Sequence, residues 1–150
     1  MTSVIKHYSE LTTDEFHDIV ALRISVFIIE QNCPYQELDG RDKHSFHLLL
    51  RDGEKTIGTL RIPERGISYP EVSIGRVVSA TDRRHEKLGH QMMSDAMRFI
   101  QTQFPGSSVR ISAQSHLAAF YARYGFVATG KEYEEDGIPH IEMLFNPPIS

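Results

Sequence analysis

Residues 74–104 constrain the fold of this 150-residue chain most, because a β-branched run, a basic turn and an amphipathic helix follow one another there. Ile74, Val77 and Val78 indicate a strand, and the Ser-Ala-Thr-Asp run after them ends it. Apolar residues then recur at helical spacing. They are Leu88, Met92, Met93, Ala96, Met97, Ile100 and Phe104. The segment therefore predicts a strand, a short turn and a long helix with one apolar face.

The turn between this strand and this helix is rich in basic residues. The residues in question are Arg83, Arg84, His85 and Lys87, with Gly89 and His90 after them. The first turn of a helix carries unpaired backbone N–H groups and about half a positive charge, so cations there are unfavourable without an anionic partner. We therefore expect a phosphate or pyrophosphate site at this turn.

Length and composition fit a globular protein with one domain over residues 1–150. The net charge of −4 argues against a nucleic-acid binder. Cys33 is the single cysteine, which excludes an intramolecular disulfide and favours a reducing compartment. No apolar run approaches the roughly 20 residues of a membrane span, and the N-terminus lacks the apolar core of a signal peptide. We expect a cytoplasmic protein without membrane or nucleic-acid partners.

Periodicity along the whole chain predicts the order β-α-β-β-β-α-β-α-β-β. The predicted strands cover residues 4–8, 46–50, 56–62, 71–78, 109–113, 126–133 and 141–145. The predicted helices cover residues 13–30, the segment up to 104, and a segment that Ser115 caps and Gly125 ends. Residues 31–42 form a loop, and residues 134–139 form an acidic turn. This order predicts an α/β or α+β fold with a mixed sheet and helices on both faces.

Metal and cysteine chemistry receive little support from the sequence. His44 and His47 are three positions apart, but they straddle the start of a predicted strand, and no HExxH or Cys/His spacing occurs. Cys33 precedes Pro34 in a loop without a neighbouring base. We therefore expect neither a metal site nor a cysteine nucleophile.

Two motifs and the element order resemble the GNAT superfamily of N-acetyltransferases. The residues from Arg84 to Gly89 resemble its acetyl-CoA motif, although Lys87 stands at the first glycine of that motif. Tyr121, Gly125 and Phe126 match its Tyr-x-x-x-Gly-Phe signature, and Gln114 stands where many members have Asn. Three further blocks are similar to the small bacterial ElaA-like branch. They are Arg23-x-x-Val26-Phe27-x-x-Glu30 with the following residues to Tyr35, Ile74 to Val77, and Tyr133 to His140.

The resemblance implies an acetyl-CoA-dependent N-acetyltransferase with a mixed, mostly antiparallel sheet. Val77 and Val78 would lie in a strand that splays from residues 109–113, the pantetheine arm would enter the gap, and the Val78 N–H would polarise the thioester carbonyl. Tyr121 would protonate the leaving thiolate. The implied cofactor-binding residues are Val77, Val78, Arg83, Arg84, His85, Lys87, Leu88, Gly89, His90, Gln114, Phe120 and Tyr121. For Lys87 we expect an ordinary helical φ, with the side chain directed to phosphate or solvent.

The general base is open at this point. The candidates are Glu30, His47, His116, His140 and Glu142, and a water chain to a remote carboxylate is an alternative. His140 and Glu30 are the catalytic candidates beside Tyr121, because His140 follows the acidic turn and Glu30 ends the first helix. The amine acceptor would lie between the loop at residues 30–42 and the turn at residues 133–140.

Acidic residues cluster in these two segments. They are Glu37, Asp39, Asp42, Glu134, Glu135 and Asp136. They are either solvated loop acids or an acidic rim that attracts a cationic amine. Two other functions stay open, namely a non-catalytic CoA sensor or scaffold and an enzyme like the acyl-homoserine-lactone synthases, whose N-terminal region the Arg-x-x-Val-Phe block also resembles. The acceptor is undetermined between small molecules and peptides, and a homodimer is possible.

Overall fold

The computed structural model describes residues 1–33 and 36–148, with the backbone alone for His85. Its strands are β1 (Thr2–His7), β2 (Ser45–Asp52), β3 (Lys55–Pro63), β4 (Gly75–Ser79), β5 (Val109–Gln114), β6 (Val127–Glu135) and β7 (Ile138–Phe145). Its α-helices are α1 (Thr13–Arg23), α2 (Leu88–Gln103) and α3 (Ala118–Ala122). The predicted order of strands and helices is confirmed. No helix among the described residues is long and apolar enough to cross a membrane.

The first helix begins where its capping signal predicts. The Thr12 hydroxyl accepts a hydrogen bond from the Glu15 N–H (3.1 Å), and the Glu15 carboxylate accepts one from the Thr12 N–H (2.8 Å). From Ile24 to Glu30 the helix continues with the wider winding of a π-helix. Such segments are uncommon and frequently lie at functional sites. The predicted extent to residue 30 is therefore correct, whereas the change in winding was not foreseen.

The strands form two antiparallel sheets, ordered β1-β2-β3-β4 and β5-β7-β6. They join through a parallel bridge between Val72 and Val109, where the Arg110 N–H donates to the Val72 carbonyl (3.0 Å). Beyond this bridge, β4 and β5 pair nowhere in the described part of the chain. The splayed central strand pair that the resemblance implied is therefore present.

Helices cover both faces of the first sheet, as predicted. On one face α2 lies so close to β3 that a Cβ added to Gly58 would come 2.8 Å from the Met92 sulfur. On the other face the Glu15 carboxylate of α1 pairs with Lys6 of β1 (3.0 Å) and Arg51 of β2 (2.7 Å). The sheet is therefore buried on both sides, which holds its edge strand β4 in a fixed position.

Three local predictions were wrong. The strand predicted over 71–78 begins only at Gly75, because Val72 already pairs with β5. Ser115 does not cap a helix; it opens a 3₁₀ turn (Ser115–Leu117) whose preceding residue gives no side-chain cap. The acidic turn is a tight two-residue connection at Asp136 and Gly137, both with positive φ (52° and 78°), so Glu134 and Glu135 lie in β6.

A buried ionic cluster attaches the loop at residues 36–42 to α1 and to β3. Arg23, 1% exposed, donates to the carboxylates of Glu37 (2.7 Å) and Asp42 (2.7 Å). Arg61 of β3 donates to Asp39 (2.7 Å) and Asp42 (3.2 Å). Burial alone would raise the pKa of the Asp42 carboxyl, but the hydrogen bond from Arg23 and the charges of Arg23 and Arg61 together lower that pKa. The charges of the cluster pair with one another, so each member depends on the others.

Replacement of Arg23 by methionine is expected to lower the free energy of unfolding by about 3 kcal/mol, because Glu37 and Asp42 stay buried without their main partner. Urea unfolding measures the change. Arg98→Met is the matched control, since Arg98 is 74% exposed and pairs with Asp95 on the surface, and it should cost less than about 0.5 kcal/mol. Equal losses in the two variants would contradict a structural role for the buried cluster.

Candidate active site

A cleft of about 1150 Å³ opens where β4 and β5 diverge. It is at the upper end of the volumes usual for ligand sites, which suits a large, elongated ligand. The described residues that line it include nine of the predicted site residues, namely Glu30, Val77, Val78, Arg84, Gly89, Gln114, Phe120, Tyr121 and His140. Arg83, Lys87, Leu88 and His90 do not line the cleft, and the side chain of His85 lies outside the described structure.

The turn before α2 differs from our expectation at Lys87. Residues Thr81–Glu86 form a 3₁₀ turn, and Lys87 then adopts the left-handed conformation (φ 56°, ψ 38°) before α2 starts at Leu88. The predicted helical φ was wrong, because the chain reverses its winding between the two helical segments. A left-handed residue other than glycine costs roughly 1 kcal/mol. Lys87 thus keeps the backbone conformation for which the motif glycine is suited.

The N-terminus of α2 has no side-chain cap among the described residues. Gly89 in its first turn lines the cleft, and a Cβ there would come 3.4 Å from the Phe120 ring. Backbone N–H groups of an uncapped first turn can donate to a bound anion. The predicted anion site therefore has suitable backbone geometry.

Two arginines predicted to bind phosphate already have carboxylate partners. Arg83 donates to Asp52 (2.6 Å) and Glu86 (2.5 Å), and it does not line the cleft. Arg84 does line the cleft, and both of its terminal nitrogens donate to Glu30 (2.5 Å each). The hydrogen bond from Arg84 lowers the pKa of the Glu30 carboxyl. An anion that binds Arg84 must therefore compete with Glu30.

A β-bulge that contains the left-handed residue Arg76 shapes β4. The pairing of Thr59 with Val78 and of Arg61 with Gly75 leaves one extra residue in β4, which is a β-bulge. Arg76 within it has φ 53°, and its guanidinium pairs with Glu37 (3.2 Å) and lies over the Phe27 ring (5.1 Å). The bulge is thus held from the loop side, next to the two valines predicted to contact the cofactor.

Tyr121 lies in α3 with its ring buried against Phe120 and Phe126 (centroids 5.1 and 6.2 Å). Burial raises the pKa of its phenol to about 12, so the group stays protonated at neutral pH. Its hydroxyl has no hydrogen-bond partner among the described residues, although buried tyrosines usually find one. A protonated phenol in a ligand cleft without a protein partner is suited to donate to a ligand.

The five candidate bases occupy different environments. His47 is fully buried away from the cleft, and desolvation lowers the pKa of its imidazole. Glu142 lines the cleft but accepts hydrogen bonds from Arg110 (3.1 Å) and Thr129 (2.8 Å). Glu30 is paired with Arg84, and His116 is an exposed residue at the cleft wall.

His140 lines the cleft, and its ring is held by contacts on both nitrogens. Its Nδ1 lies 2.7 Å from the Ile138 carbonyl oxygen, which can only accept, so Nδ1 carries a proton and Nε2 holds the lone pair in the neutral ring. Nε2 is 3.3 Å from a carboxylate oxygen of Glu135, which would stabilise the ring once Nε2 is protonated. Its ring stacks on Tyr133 (centroids 6.1 Å), so its orientation is fixed.

The sequence left two alternatives for the acidic residues, an acidic rim that attracts a cationic amine and acids solvated in loops. The structure supports neither alternative for the whole set. Glu37 and Asp42 are buried and paired with arginines, and Asp39 forms a two-point pair with Arg61. Burial would raise the pKa of the Asp39 carboxyl, but the hydrogen bonds from Arg61 and from the Arg41 N–H and the charges of both arginines together lower it to about 2. Both alternatives are therefore wrong for Glu37 and Asp42, whereas Asp39, Glu134, Glu135 and Asp136 are exposed.

Several cleft residues were not foreseen from the sequence as site residues. Tyr69, Arg41, Lys131 and Ser112 line the cleft, and the Tyr133 hydroxyl donates to the Ser112 hydroxyl. These side chains come from a loop, a 3₁₀ turn and different strands, so no spacing in the sequence marks them as one set.

The Cys33 thiol donates weakly to the Asp136 carbonyl (3.6 Å), which brings the π-helical end close to the β6–β7 turn. No group of three metal-ligating side chains occurs among residues 1–33 and 36–148.

Comparison with known proteins identifies the family. The model of the acetyltransferase (GNAT) domain matches residues 7–146. Protein ElaA of Escherichia coli strain K12 is 39% identical over 139 residues, which is 91% of each chain. The crystal structure of an acyl-CoA N-acyltransferase from Pseudomonas aeruginosa has a TM-score of 0.91 at 40% identity, over 97% of this chain and 99% of that one. The crystal structure of Escherichia coli ElaA has a TM-score of 0.90 at 36% identity, with the same coverage.

These matches confirm the resemblance found in the sequence and extend over nearly the whole chain. Two features of this chain's own structure agree with the family assignment. They are the divergence of the two sheets from the Val72–Val109 bridge and the uncapped N-terminus of α2 beside the cleft. The chain is an acyltransferase of the GNAT family, in its ElaA-like branch.

Proposed function

We propose that this acyl-CoA N-acyltransferase moves the acetyl group of acetyl-CoA to a primary amine by direct attack in a ternary complex. The observation that carries the proposal is Tyr121, whose protonated phenol lines the cleft between β4 and β5 without a partner among the described residues. A sensor that only binds CoA has no need of such a group.

Cofactor binding is assigned to the turn before α2 and to β4. The first-turn N–H groups of α2 and the Arg84 guanidinium would hold the pyrophosphate. The pantetheine arm would pair with the free edge of β4. Arg83, with its two carboxylate partners, is not needed for this assignment. His85, Lys87, Leu88 and His90 would act through the conformation of the turn and the packing of α2.

Carbonyl polarisation is assigned to the backbone N–H of Val78. The residue follows the β-bulge and lines the cleft. A backbone donor fixed in place before reaction stabilises the negative charge that develops on the carbonyl oxygen. Glu37 holds Arg76 and thereby the bulge, so we assign Arg76 a positioning role.

Proton transfers are assigned to His140 and Tyr121. The lone pair of His140 Nε2 accepts the proton that the amine loses, and Glu135 stabilises the resulting imidazolium. The amine nitrogen forms a bond to the acetyl carbon while the carbon–sulfur bond breaks. Tyr121 donates its phenol proton to the leaving sulfur and regains one from solvent through the cleft. Glu30 and Glu142 are weaker candidates for the base because both already accept hydrogen bonds from arginines. His116 is weaker because it is exposed at the cleft wall.

Two alternatives and two broader expectations stay open to experiment. A CoA sensor would bind acetyl-CoA without amine-dependent release of CoA, and an acyl-homoserine-lactone-synthase-like enzyme would require S-adenosylmethionine as the amine. A cytoplasmic location and a homodimer stay predictions.

Replacement of Tyr121 by phenylalanine is expected to lower kcat about 100-fold and leave the Kd of acetyl-CoA unchanged, because only the donated proton is lost. Thiol detection of free CoA and calorimetry measure the two effects. Tyr124→Phe is the matched control, since Tyr124 is near the same helix, its hydroxyl bonds His90 (2.7 Å) and it does not line the cleft. An unchanged kcat in Tyr121→Phe would contradict the role of Tyr121 as the proton donor to the leaving sulfur.

Replacement of Lys87 by valine is expected to weaken CoA binding at least tenfold, because a β-branched side chain disfavours the left-handed conformation that sets the turn. Lys87→Gly and Lys87→Asn should bind CoA within about threefold of the original protein, since both residues adopt this conformation readily. Calorimetric titration distinguishes the three variants. Equal weakening in all three would show that the lysine charge, and not the turn, binds CoA.

Replacement of Glu30 by glutamine is expected to tighten CoA binding two- to tenfold, because the phosphates no longer compete with a carboxylate for Arg84. The same titration measures the Kd, and Asp95→Asn serves as control because Asp95 pairs with Arg98 outside the cleft. Unchanged or weaker binding in Glu30→Gln would exclude Arg84 as a phosphate ligand.

A further inference from the structure

Three of the four carboxylates that line the cleft have arginine partners within the described structure. Glu30 pairs with Arg84, and Asp39 pairs with Arg61 at two points. Glu142 pairs with Arg110, and Glu135 lies 3.3 Å from His140. A cationic acceptor that enters the cleft therefore meets one carboxylate without an arginine partner, Glu135, which the proposed mechanism uses to stabilise the His140 imidazolium.

The cations at the same surface are not balanced in this way. Arg41 and Lys131 line the cleft, and neither side chain has an ion pair or a side-chain hydrogen bond within the described part of the chain. The charge of Arg41 interacts with the Asp39 carboxylate, but Asp39 already binds Arg61 at two points. The Lys131 ammonium lies 5.9 Å from the Tyr133 ring centroid and is exposed. The uncompensated charge of the cleft is therefore positive.

Both cations lie in segments next to the expected acceptor position, between the loop at residues 30–42 and the turn at residues 133–140. Arg41 belongs to the 3₁₀ turn Arg41–His44 that ends the loop after the π-helical segment, and Lys131 belongs to β6 beside Tyr133. The cofactor assignments lie at the other side, around β4, α2 and Tyr121. Positive charge at Arg41 and Lys131 is thus in excess of what pyrophosphate binding requires.

From this charge pattern we infer that the acceptor is an amine that also carries a carboxylate, as a free amino acid or a short peptide does, and that Arg41 and Lys131 bind this carboxylate. The inference rests on the proposed transfer to a primary amine and names its substrate class. A polyamine or an aminoglycoside would bring several positive charges to two unpaired cations, whereas a carboxylate gains charge-assisted hydrogen bonds from them. Arg41 and Lys131 thereby select the acceptor by charge.

The test compares matched acceptors by the release of CoA from acetyl-CoA. One set contains L-amino acids and their amides, a second contains dipeptides and the same dipeptides with a C-terminal amide, and spermidine is added alone. The dipeptide pairs keep the reacting amine nearly unchanged while they remove the negative charge. The carboxylate form is expected to have a kcat/KM at least tenfold higher than its amide in one of the sets, and spermidine is expected to be the poorest acceptor.

Arg41→Gln and Lys131→Gln give the second readout. Each is expected to raise KM for the carboxylate acceptor about tenfold, with kcat and the KM for acetyl-CoA unchanged, and to leave the amide acceptor unaffected. Lys43→Gln is the matched control, because Lys43 is exposed on the same 3₁₀ turn and does not line the cleft. Equal use of amide and acid, or preference for spermidine, would overturn the acceptor class and leave the transferase function intact. Absence of CoA release with every amine would instead contradict the proposed function, and the acceptor class with it.

Discussion

The buried pairing of Arg23 with Glu37 and Asp42 is the interaction on which the cleft depends. Arg23 ends α1, the two carboxylates come from the following loop and 3₁₀ turn, and Arg61 of β3 shares Asp42. Glu37 also holds Arg76 inside the bulge of β4. One set of charges therefore fixes the first helix, the loop and the strand that borders the cofactor cleft. Paired charges of this kind contribute little net stability, but their geometry is specific.

The second constraint is that one bridge joins the two sheets within residues 1–33 and 36–148. Because Val72 and Val109 pair and the strands beyond them do not, β4 and β5 each present backbone to the cleft. An edge strand with unpaired backbone groups is normally a liability, and here it faces a cleft with Tyr121 in its wall. Under the proposed function, the amide groups of the pantetheine arm would complete the pairing that β4 leaves open.

Much of this fold could be predicted from the sequence, and the reasons for the failures are physical. Apolar periodicity and the Thr12 capping box located α1 and α2, because these signals are local. The partners of Arg23 are 14 and 19 residues away, and Arg84 and Glu30 are 54 residues apart, so no local pattern pairs them. The acids of the loop were therefore interpreted as solvated or as an acidic rim, when tertiary structure had given them arginine partners. Tyr121 was found through its motif, but its burial and free hydroxyl required the structure.

The left-handed Lys87 has a consequence for how this family is recognised. At position 87 this chain reaches the left-handed backbone conformation with a lysine, although glycine adopts that conformation at lower cost. A sequence pattern that requires glycine at this position selects the residue that adopts the left-handed conformation most easily. It does not select for the turn itself, which other residues can also form. Chains such as this one would fail the pattern and still build the same turn. The motif is therefore better defined as a shape of the main chain than as a string of letters.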